Sequence, residues 1–388
     1  MADEQTRQCG GRASRNGSPP FAMAEYSDAD RAFMTHALAL AARGVNTATP
    51  NPRVGCVLVR DGAMIGEGFH ARAGDAHAEI NALIDAKSQG NDPRGSTAYV
   101  TLEPCNHTGR TPPCTGALIT AGVVRVVAAM ADPNPHAAHG AARLREAGIA
   151  VDIGLMEQEA RALNRGFVSR MTRGRPWVRM KIASSLDGRT ALGSGESQWI
   201  TGEEARLDGH RFRARACAVL TGIGTVKVDD PQLTVRGIET TRQPLIVIVD
   251  RHGETPPTAR ALASGDALVV TAGGTHAAWP KGVATIALPN AEGRVDLVAT
   301  MHELGTRGIN ELHVEAGAGL NGALLAAGMV DELLVYLAPC VIGDPARGVA
   351  AFPGGLAHLA DRVPLIVDDI ARVGDDLRIQ ARVARRED

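Results

Sequence analysis

Apolar and polar positions switch between a period near 3.6 and a period of 2 along the chain, and the switches mark out helices and strands. Ser27, followed three residues on by Asp30, reads as a capping box, and Phe33, Ala37, Leu40 and Ala41 keep helical spacing as far as Gly44. Two apolar runs over 54–59 and 64–69 flank Arg60-Asp61-Gly62-Ala63, which predicts a β-hairpin. The pattern then predicts a helix over 77–87, a strand near 97–102, a helix after Pro113, a strand over 123–128 and helices over 141–147 and 157–171. Thr172-Arg173-Gly174-Arg175-Pro176 reads as a linker or domain-opening turn. Beyond it, strands are expected over 177–184, 218–221, 244–250, 267–271, 311–315 and 332–339, helices over 203–215, 295–305 and 320–327, and a closing hairpin over 364–383. No internal repeat is visible. Strand and helix alternate on both sides of the linker, so two α/β domains are predicted, 25–172 and 173–388. Residues 1–24, with Gly10-Gly11, Ser18-Pro19-Pro20 and scattered Arg, have little to pack and are expected to be a disordered extension, with Met23 an alternative start.

Composition narrows the partners. The 388 residues are 44% hydrophobic and 22% charged, ordinary for two globular cores. No apolar run approaches the roughly 18 residues of a membrane span; the densest, Leu333-Leu334-Val335-Tyr336-Leu337, ends within a strand length. Lys plus Arg is 41 against 43 acids, net −2, so no global field draws the chain to nucleic acid or anionic lipid. Aromatics at 3% are too few for base-stacking platforms. A small-molecule partner is expected, with neither nucleic acid nor membrane. Six cysteines make no disulfide scaffold, and without a secretory apolar segment the cytoplasm is the expected home, where paired thiols more often mean metal.

His77-Ala78-Glu79 opens a predicted helix, and Pro104-Cys105 with Cys114 follows about 28 residues later. One His and two Cys supply three zinc ligands and leave the fourth tetrahedral position for water, the pattern of a catalytic site. Glu79 would not bind metal; it could take the water's proton and hand it to a leaving nitrogen. A structural zinc would need a fourth ligand, for which His107 is the candidate.

These residues resemble the zinc nucleoside deaminases, whose usual closing spacing is Pro-Cys-x-x-Cys. Here eight residues, Asn106 to Pro113, separate the two cysteines. That longer loop, together with Thr49-Pro50-Asn51-Pro52-Arg53-Val54-Gly55 and Asp132-Pro133-Asn134-Pro135, resembles the deaminase half of the bifunctional riboflavin-biosynthesis deaminase/reductases. The resemblance implies a cytidine-deaminase-like α/β/α layer domain acting on a diaminopyrimidinone that carries a ribosylamino 5′-phosphate. It further implies that Asn51 and His70 line the pyrimidine pocket, and that His107 and Arg110 meet the substrate and its phosphate. A phosphate near −2 suits a guanidinium fork. The chain departs from the family after Pro135, where His136-Ala137-Ala138-His139-Gly140 is one residue short.

In the second half, Gly317-Ala318-Gly319-Leu320-Asn321-Gly322 fits Gly-x-Gly-x-x-Gly after a predicted strand, and reads either as a pyrophosphate turn or as ordinary turn glycines. The run from Lys181 to Gly202, with Arg213, Thr221-Gly222-Ile223-Gly224-Thr225 and the segment from Asp229 to Arg236, resembles the reductase half of the same enzymes. The resemblance implies a dihydrofolate-reductase-like α/β domain using NADPH, and covers about residues 26–385. It implies that Ser197, Arg213, Leu233, Arg236 and Glu315 contact the ribosylamino phosphate, with Arg213 and Arg236 as a phosphate clamp. Ala183, Trp199, Thr225, Asp229, Gly317 and Gly319 would meet NADPH. Lys181, one of four lysines and inside an apolar strand, is a further substrate-site candidate, left open with Asp229 and Glu315 as proton donor. Ala316 stands where the family has Gly. A homo-oligomer is also implied. Two rivals stay open: a deaminase acting on RNA with an accessory domain, and a non-enzymatic zinc-stabilised binding module.

Overall fold

Helix α1 (Asp28–Ala42) starts where the capping box predicts. The Ser27 Oγ accepts from the Asp30 N–H at 3.1 Å, and the Asp30 carboxylate accepts from the Ser27 N–H at 2.9 Å. The computed structural model describes residues 26–107, 112–274 and 278–384, so the extension expected over 1–24 lies outside the described residues. Strands β1 (Gly55–Arg60) and β2 (Ala63–Phe69) form the predicted hairpin. Asp61 and Gly62 take φ of 54° and 75°, the left-handed pair that a two-residue hairpin turn requires. The chain continues through α2 (Ala78–Ser88), β3 (Thr97–Val100), α3 (Cys114–Thr120), β4 (Arg125–Ala128), α4 (Gly140–Glu146), β5 (Ala150–Ile153), α5 (Glu157–Leu163) and α6 (Arg165–Arg173). The sheet order is β2-β1-β3-β4-β5, antiparallel around β1 and parallel from β3 to β5.

Two glycines let the helices close on this sheet. A Cβ on Gly55 would lie 2.0 Å from the Ala37 carbonyl oxygen of α1, and one on Gly68 would lie 2.5 Å from the Ala82 nitrogen of α2. Gly68 pairs with Cys56, the neighbour of Gly55, so the two glycines face opposite sides and α1 and α2 sandwich the sheet. Met34, Leu58, Val100, Val126 and Leu144 belong to the resulting core.

The single helix predicted over 157–171 is two helices in the structure. Asn164, 2% exposed, leaves the helical path because its side chain is taken by the backbone of Arg53. Its Oδ1 accepts from the Arg53 N–H at 2.8 Å and its Nδ2 donates to the Arg53 carbonyl at 2.9 Å. Helix α6 then runs through Thr172 and Arg173, predicted as linker, and ends at Gly174 with φ 66°. The edge strand β5, only four residues long, carries too little periodicity to have been predicted.

The second domain runs β6 (Trp177–Ser185), β7 (Arg189–Leu192), α7 (Glu203–Arg215), β8 (Ala218–Gly222), α8 (Ile223–Asp229), β9 (Leu245–Val249), β10 (Ala267–Thr271), β11 (Val283–Ala287), α9 (Leu297–Thr306), β12 (Glu311–Val314), α10 (Ala318–Ala326), β13 (Glu332–Ala338), β14 (Ala346–Gly348), β15 (Leu365–Val373) and β16 (Asp376–Val383). Nine strands form one sheet in the order β11-β10-β9-β8-β12-β6-β13-β16-β15, parallel as far as β13 and closed by the predicted antiparallel hairpin. The short pair β7 and β14 stands apart. One face of the sheet is apolar, with Met180, Leu220, Leu312 and Val314 in one core with Met301 of α9 and Leu324 of α10.

The opposite face is apolar at β8 to β10, with Val219, Ile246 and Ile248 in a second core, and charged around β12 and β6. Glu311 and His313 on β12 stand beside Arg179 on β6, and Arg215 of α7 reaches Glu311 at 2.7 Å. This face also meets the first domain: Arg53 Nη1 lies 2.7 Å from a Glu311 oxygen. Arg179 joins Glu311 at 3.4 Å to Glu332 at 2.9 Å, and Arg165 of α6 closes on Glu332 at 2.6 Å. The domains are therefore joined through a buried chain of alternating charge rather than through apolar contact alone.

Candidate active sites

His77 is the N-cap of α2 and Glu79 lies in its first turn, held against the sheet by the close approach at Gly68. Cys114 opens α3, while Cys105 lies in the loop leaving β3 rather than at a helix start. His77 Nδ1 is 3.5 Å from Cys105 Sγ and 3.3 Å from Cys114 Sγ, and the three ligand atoms lie within 4.8 Å of one another. Tetrahedral zinc, with Zn–N near 2.0–2.1 Å and Zn–S near 2.3 Å, wants N and S about 3.6 Å apart. The donor set fits zinc as it stands. The Cys105 thiol is held down by a hydrogen bond from Cys114, against burial and with help from His77, which suits a thiolate ligand. Among the described residues no fourth His, Cys, Asp or Glu joins the triad; His107 is exposed at the cavity wall. Glu79 is 3% exposed, and burial pushes its carboxyl up to about 7 against its own backbone N–H.

The triad opens into a cavity of about 640 Å³ lined by Asn51, His70, Glu79, His107, Asp132 and Arg170 among others. Asn51 Nδ2 lies 3.1 Å from His70 Nε2, and His70 Nδ1 lies 3.1 Å from the Ala76 carbonyl. The carbonyl can only accept, so Nδ1 carries the proton and Nε2 accepts from Asn51. Burial pushes the His70 pKa down, which keeps this ring neutral. Asp132, in the motif at 132–135, is pushed up to about 6 by burial. Arg110 lies outside the described residues. At the family departure, a Cβ on Gly140 would sit 1.8 Å from the Pro104 carbonyl oxygen, so this glycine lets α4 close beside Cys105. Arg170, Phe167 and Met171 also line the cavity from α6. Sequence reasoning did not single them out, because helical spacing marks a face without saying what it meets.

The second constellation gathers on and beyond the parallel strands β6, β8 and β12, the usual place for a ligand in an open α/β sheet. Glu315 accepts from Arg213 Nε at 2.8 Å and Nη2 at 2.9 Å, and Arg213 Nη1 donates to the Thr234 carbonyl at 2.6 Å. Arg213 is thus engaged by Glu315, while Arg236 bonds Gln232 and Thr234 and has no carboxylate partner among the described residues. Lys181 lies on β6; burial lowers its pKa while Glu315 raises it. Burial outweighed by Arg213 and its neighbours leaves Glu315 at about 2. Leu233 is buried with φ 57°, and Ala183 is half-buried opposite Tyr336 in register. His313, missed from sequence, is 1% exposed with no hydrogen bond at either ring nitrogen, and burial takes its pKa down to about 3.

The turn at 317–319 fits a dinucleotide. Gly317 is the N-cap of α10 without a side-chain cap, so the first helix N–H groups stay open to an anion. A Cβ on Gly319 would meet nothing within 4 Å, whereas one on Gly322 would lie 1.9 Å from the Ala351 carbonyl oxygen. Gly319 faces open space, a Cβ on Gly317 would touch only Thr225, and Gly322 serves packing. Thr225 Oγ1 lies 3.9 Å from where a Gly317 Cβ would be, Ser197 Oγ donates to Asp229 at 3.1 Å, and Trp199 is 69% exposed with Arg206 over its ring at 4.5 Å. The Ala316 methyl packs against the apolar core and is accommodated.

Residues 27–130 match the family model for the cytidine and deoxycytidylate deaminase zinc-binding region, and residues 176–377 match that for the RibD C-terminal domain. The chain is 48% identical over 362 residues to the riboflavin biosynthesis protein RibD of Escherichia coli (strain K12), covering 90% of this chain and 98% of that one. Among solved structures it is similar to Acinetobacter baumannii RibD, form 1, with a TM-score of 0.83, 41% identity, and coverage of 92% of this chain and 99% of that one. A diaminohydroxyphosphoribosylaminopyrimidine deaminase/5-amino-6-(5-phosphoribosylamino)uracil reductase from Thermotoga maritima gives a TM-score of 0.83 at 35% identity, with the same coverages of 92% and 99%. Among the described residues no helix is long and apolar enough to cross a membrane.

Proposed function

The chain belongs to the RibD family of bifunctional riboflavin-biosynthesis deaminase/reductases, with a zinc-binding deaminase domain and an NADPH-using reductase domain, and on that footing we propose how its residues divide the two reactions. The observation that carries the first is a His-Cys-Cys triad with a buried carboxyl beside it and a cavity in front. The substrate is a diaminopyrimidinone ribosylamino 5′-phosphate. His77, Cys105 and Cys114 would hold zinc, which would supply a water acidified toward a pKa of about 7. Asn51 and the neutral His70 orient the pyrimidine. Glu79 carries the attacking water's protons, one to the adjacent ring nitrogen and one to the amino nitrogen at C2, which leaves as ammonia while C2 gains a carbonyl oxygen. His107 and Arg110 meet the ribose phosphate.

In the second domain, bound NADPH would supply the hydride that, with one proton, turns the ring-opened ribosylamino group into ribityl. Thr225, Asp229, Trp199, Ala183 and the 317–319 turn would hold the dinucleotide. Lys181, Ser197, Leu233, Arg236 and the Arg213–Glu315 pair would hold the sugar phosphate, with Arg213 fixing the Glu315 carboxylate. The deaminase domain spans 25–172 and the reductase domain 173–388 in this reading. A homo-oligomer is part of it: the edge strand β15 exposes Leu365, Ile366, Val367 and Ile370, the kind of edge a second copy would cover. Thiolate ligands are best kept in a reducing compartment, which supports a cytoplasmic location in this reading.

Mass spectrometry of the aminopyrimidine phosphate incubated with enzyme tests the assignment. The expected record is exchange of an amino group for oxygen without NADPH, and a further gain of two hydrogens only with it. Glu79→Gln should cut deamination by about 10²–10⁴-fold while zinc stays bound. Full deamination by that variant, with zinc content unchanged, would remove Glu79 as the proton carrier.

A further inference from the structure

The neighbouring arginines at the domain seam are spent on protein partners, and Arg170 stands out among them. Arg165 pairs with Glu332 at 2.6 Å, Arg173 and Arg175 pair with Asp331 at 2.8 and 3.0 Å, and Arg53 pairs with Glu311 at 2.7 Å. Arg242 is satisfied by the carbonyls of Asn46, Ala214, Arg215 and Ala216. Arg170, half-buried on α6, has no carboxylate within ion-pair distance among the described residues. It makes two hydrogen bonds: Nε donates to Asn310 Oδ1 at 2.6 Å and Nη2 donates to the Pro50 carbonyl at 3.3 Å. A guanidinium has five N–H bonds. Arg170 itself lines the same cavity that His77, Glu79 and Cys105 line.

A guanidinium half withdrawn from water with no counter-charge gains from an anion that completes it. Burial lowers the Arg170 pKa, and the Cys217 thiol is the group that opposes this. The geometry of the arginine is fixed in advance. Asn310, 6% exposed, belongs to the second domain and grips two first-domain groups at once. Its Oδ1 holds Arg170, and its Nδ2 donates to the Pro50 carbonyl at 2.9 Å, the residue just before Asn51. The guanidinium is therefore oriented, not waving, as a phosphate-binding fork has to be.

We infer that Arg170 is an anion-binding residue of the deaminase cavity that holds the phosphate of the pyrimidine substrate, and that Asn310 of the reductase domain is the positioning residue that aims it. The inference rests on the deaminase reading above and adds to it a cation that none of the sequence motifs contains. Its consequence is that the deaminase site is completed by the other domain: the seam carries a working part of the first active site.

The test uses the zinc-loaded full chain and two substrates, the ribosylaminopyrimidine with and without its 5′-phosphate. Arg170→Ala should lower kcat/KM for the phosphorylated substrate by about 10- to 100-fold, chiefly through KM, as expected for one charge-assisted contact. The same variant should leave the dephosphorylated substrate within about 2-fold, since the lost contact is to phosphate. Arg170→Lys should recover part of the loss, and Asn310→Ala should show a smaller change of the same kind. Equal losses on both substrates, or an unchanged KM for the phosphorylated one in Arg170→Ala and Arg170→Lys, would overturn the inference. Calorimetric binding of ribose 5-phosphate, done in an Arg213→Ala, Arg236→Ala background that removes both guanidinium groups of the second domain's candidate clamp, separates this from the functional reading. If wild-type enzyme releases no ammonia from either substrate, the deaminase reading falls, yet binding lost in Arg170→Ala would still uphold the anion site and retained binding would refute it.

Discussion

Replacing Glu311 by Gln should loosen the seam between the two domains by a predictable amount. The carboxylate is 2% exposed and sits among Arg53 at 2.7 Å, Arg215 at 2.7 Å and Arg179 at 3.4 Å. Burial alone would raise its pKa, but Arg215, Arg53 and Arg179 outweigh burial and hold it well below the usual carboxylate range. Gln keeps the shape and removes the charge, leaving buried guanidinium groups short of a counter-charge. Breaking one side of a buried pair costs about 3–5 kcal/mol. For a domain of this size each kcal/mol lowers Tm by about 2–4 °C, so a drop of about 6–20 °C is expected by scanning calorimetry at pH 7. The acid side has a definite sign. Glu311 and Glu332, the latter held at about 2 once Arg179 and Arg165 outweigh burial, both bind protons more weakly folded than unfolded. Their stabilisation is fully present above the ordinary Glu pKa of about 4.3 and is lost as pH falls below it through their lowered folded-state values. The Glu311→Gln variant should therefore lose less stability than wild type on the acid side of that value. A Tm within 2 °C of wild type, together with an unchanged acid slope, would refute the view that this charge chain joins the domains.

Two further outcomes probe the separate sites. Removing zinc with a strong chelator should abolish ammonia release and restore it on zinc addition, while NADPH-dependent reduction of the deaminated intermediate continues; joint loss of both activities would contradict independent chemistry. Gly319→Ala should raise KM for NADPH without lowering Tm, because its Cβ would enter open space, whereas Gly322→Ala should lower Tm because its Cβ meets the Ala351 carbonyl oxygen. Kinetics and melting curves on the two variants check this, and the reverse pattern would mean that the turn does not face the cofactor.

Local chemistry was legible in the sequence. The capping box at Ser27, the Asp61-Gly62 turn and the placement of His77 and Glu79 at a helix start all follow from neighbours a few residues apart, and the structure keeps them. The zinc ligands were readable too, because soft thiols and an imidazole in that order have few other uses. What escaped depends on residues far apart in the chain. Asn164 breaks a helix because Arg53, 111 residues away, takes its side chain. His313 becomes a buried ring without a hydrogen bond, its Nε2 3.5 Å from a Glu315 oxygen, only when β12 is inserted between β6 and β8. Arg170 looks like any charge on a helix until α6 lines the cavity and Asn310 takes its Nε. Short-range patterns determine where elements begin and which atoms can hold metal; which side chains are left without a partner, and so free for a ligand, is decided only when distant strands and helices compete for the same hydrogen bonds.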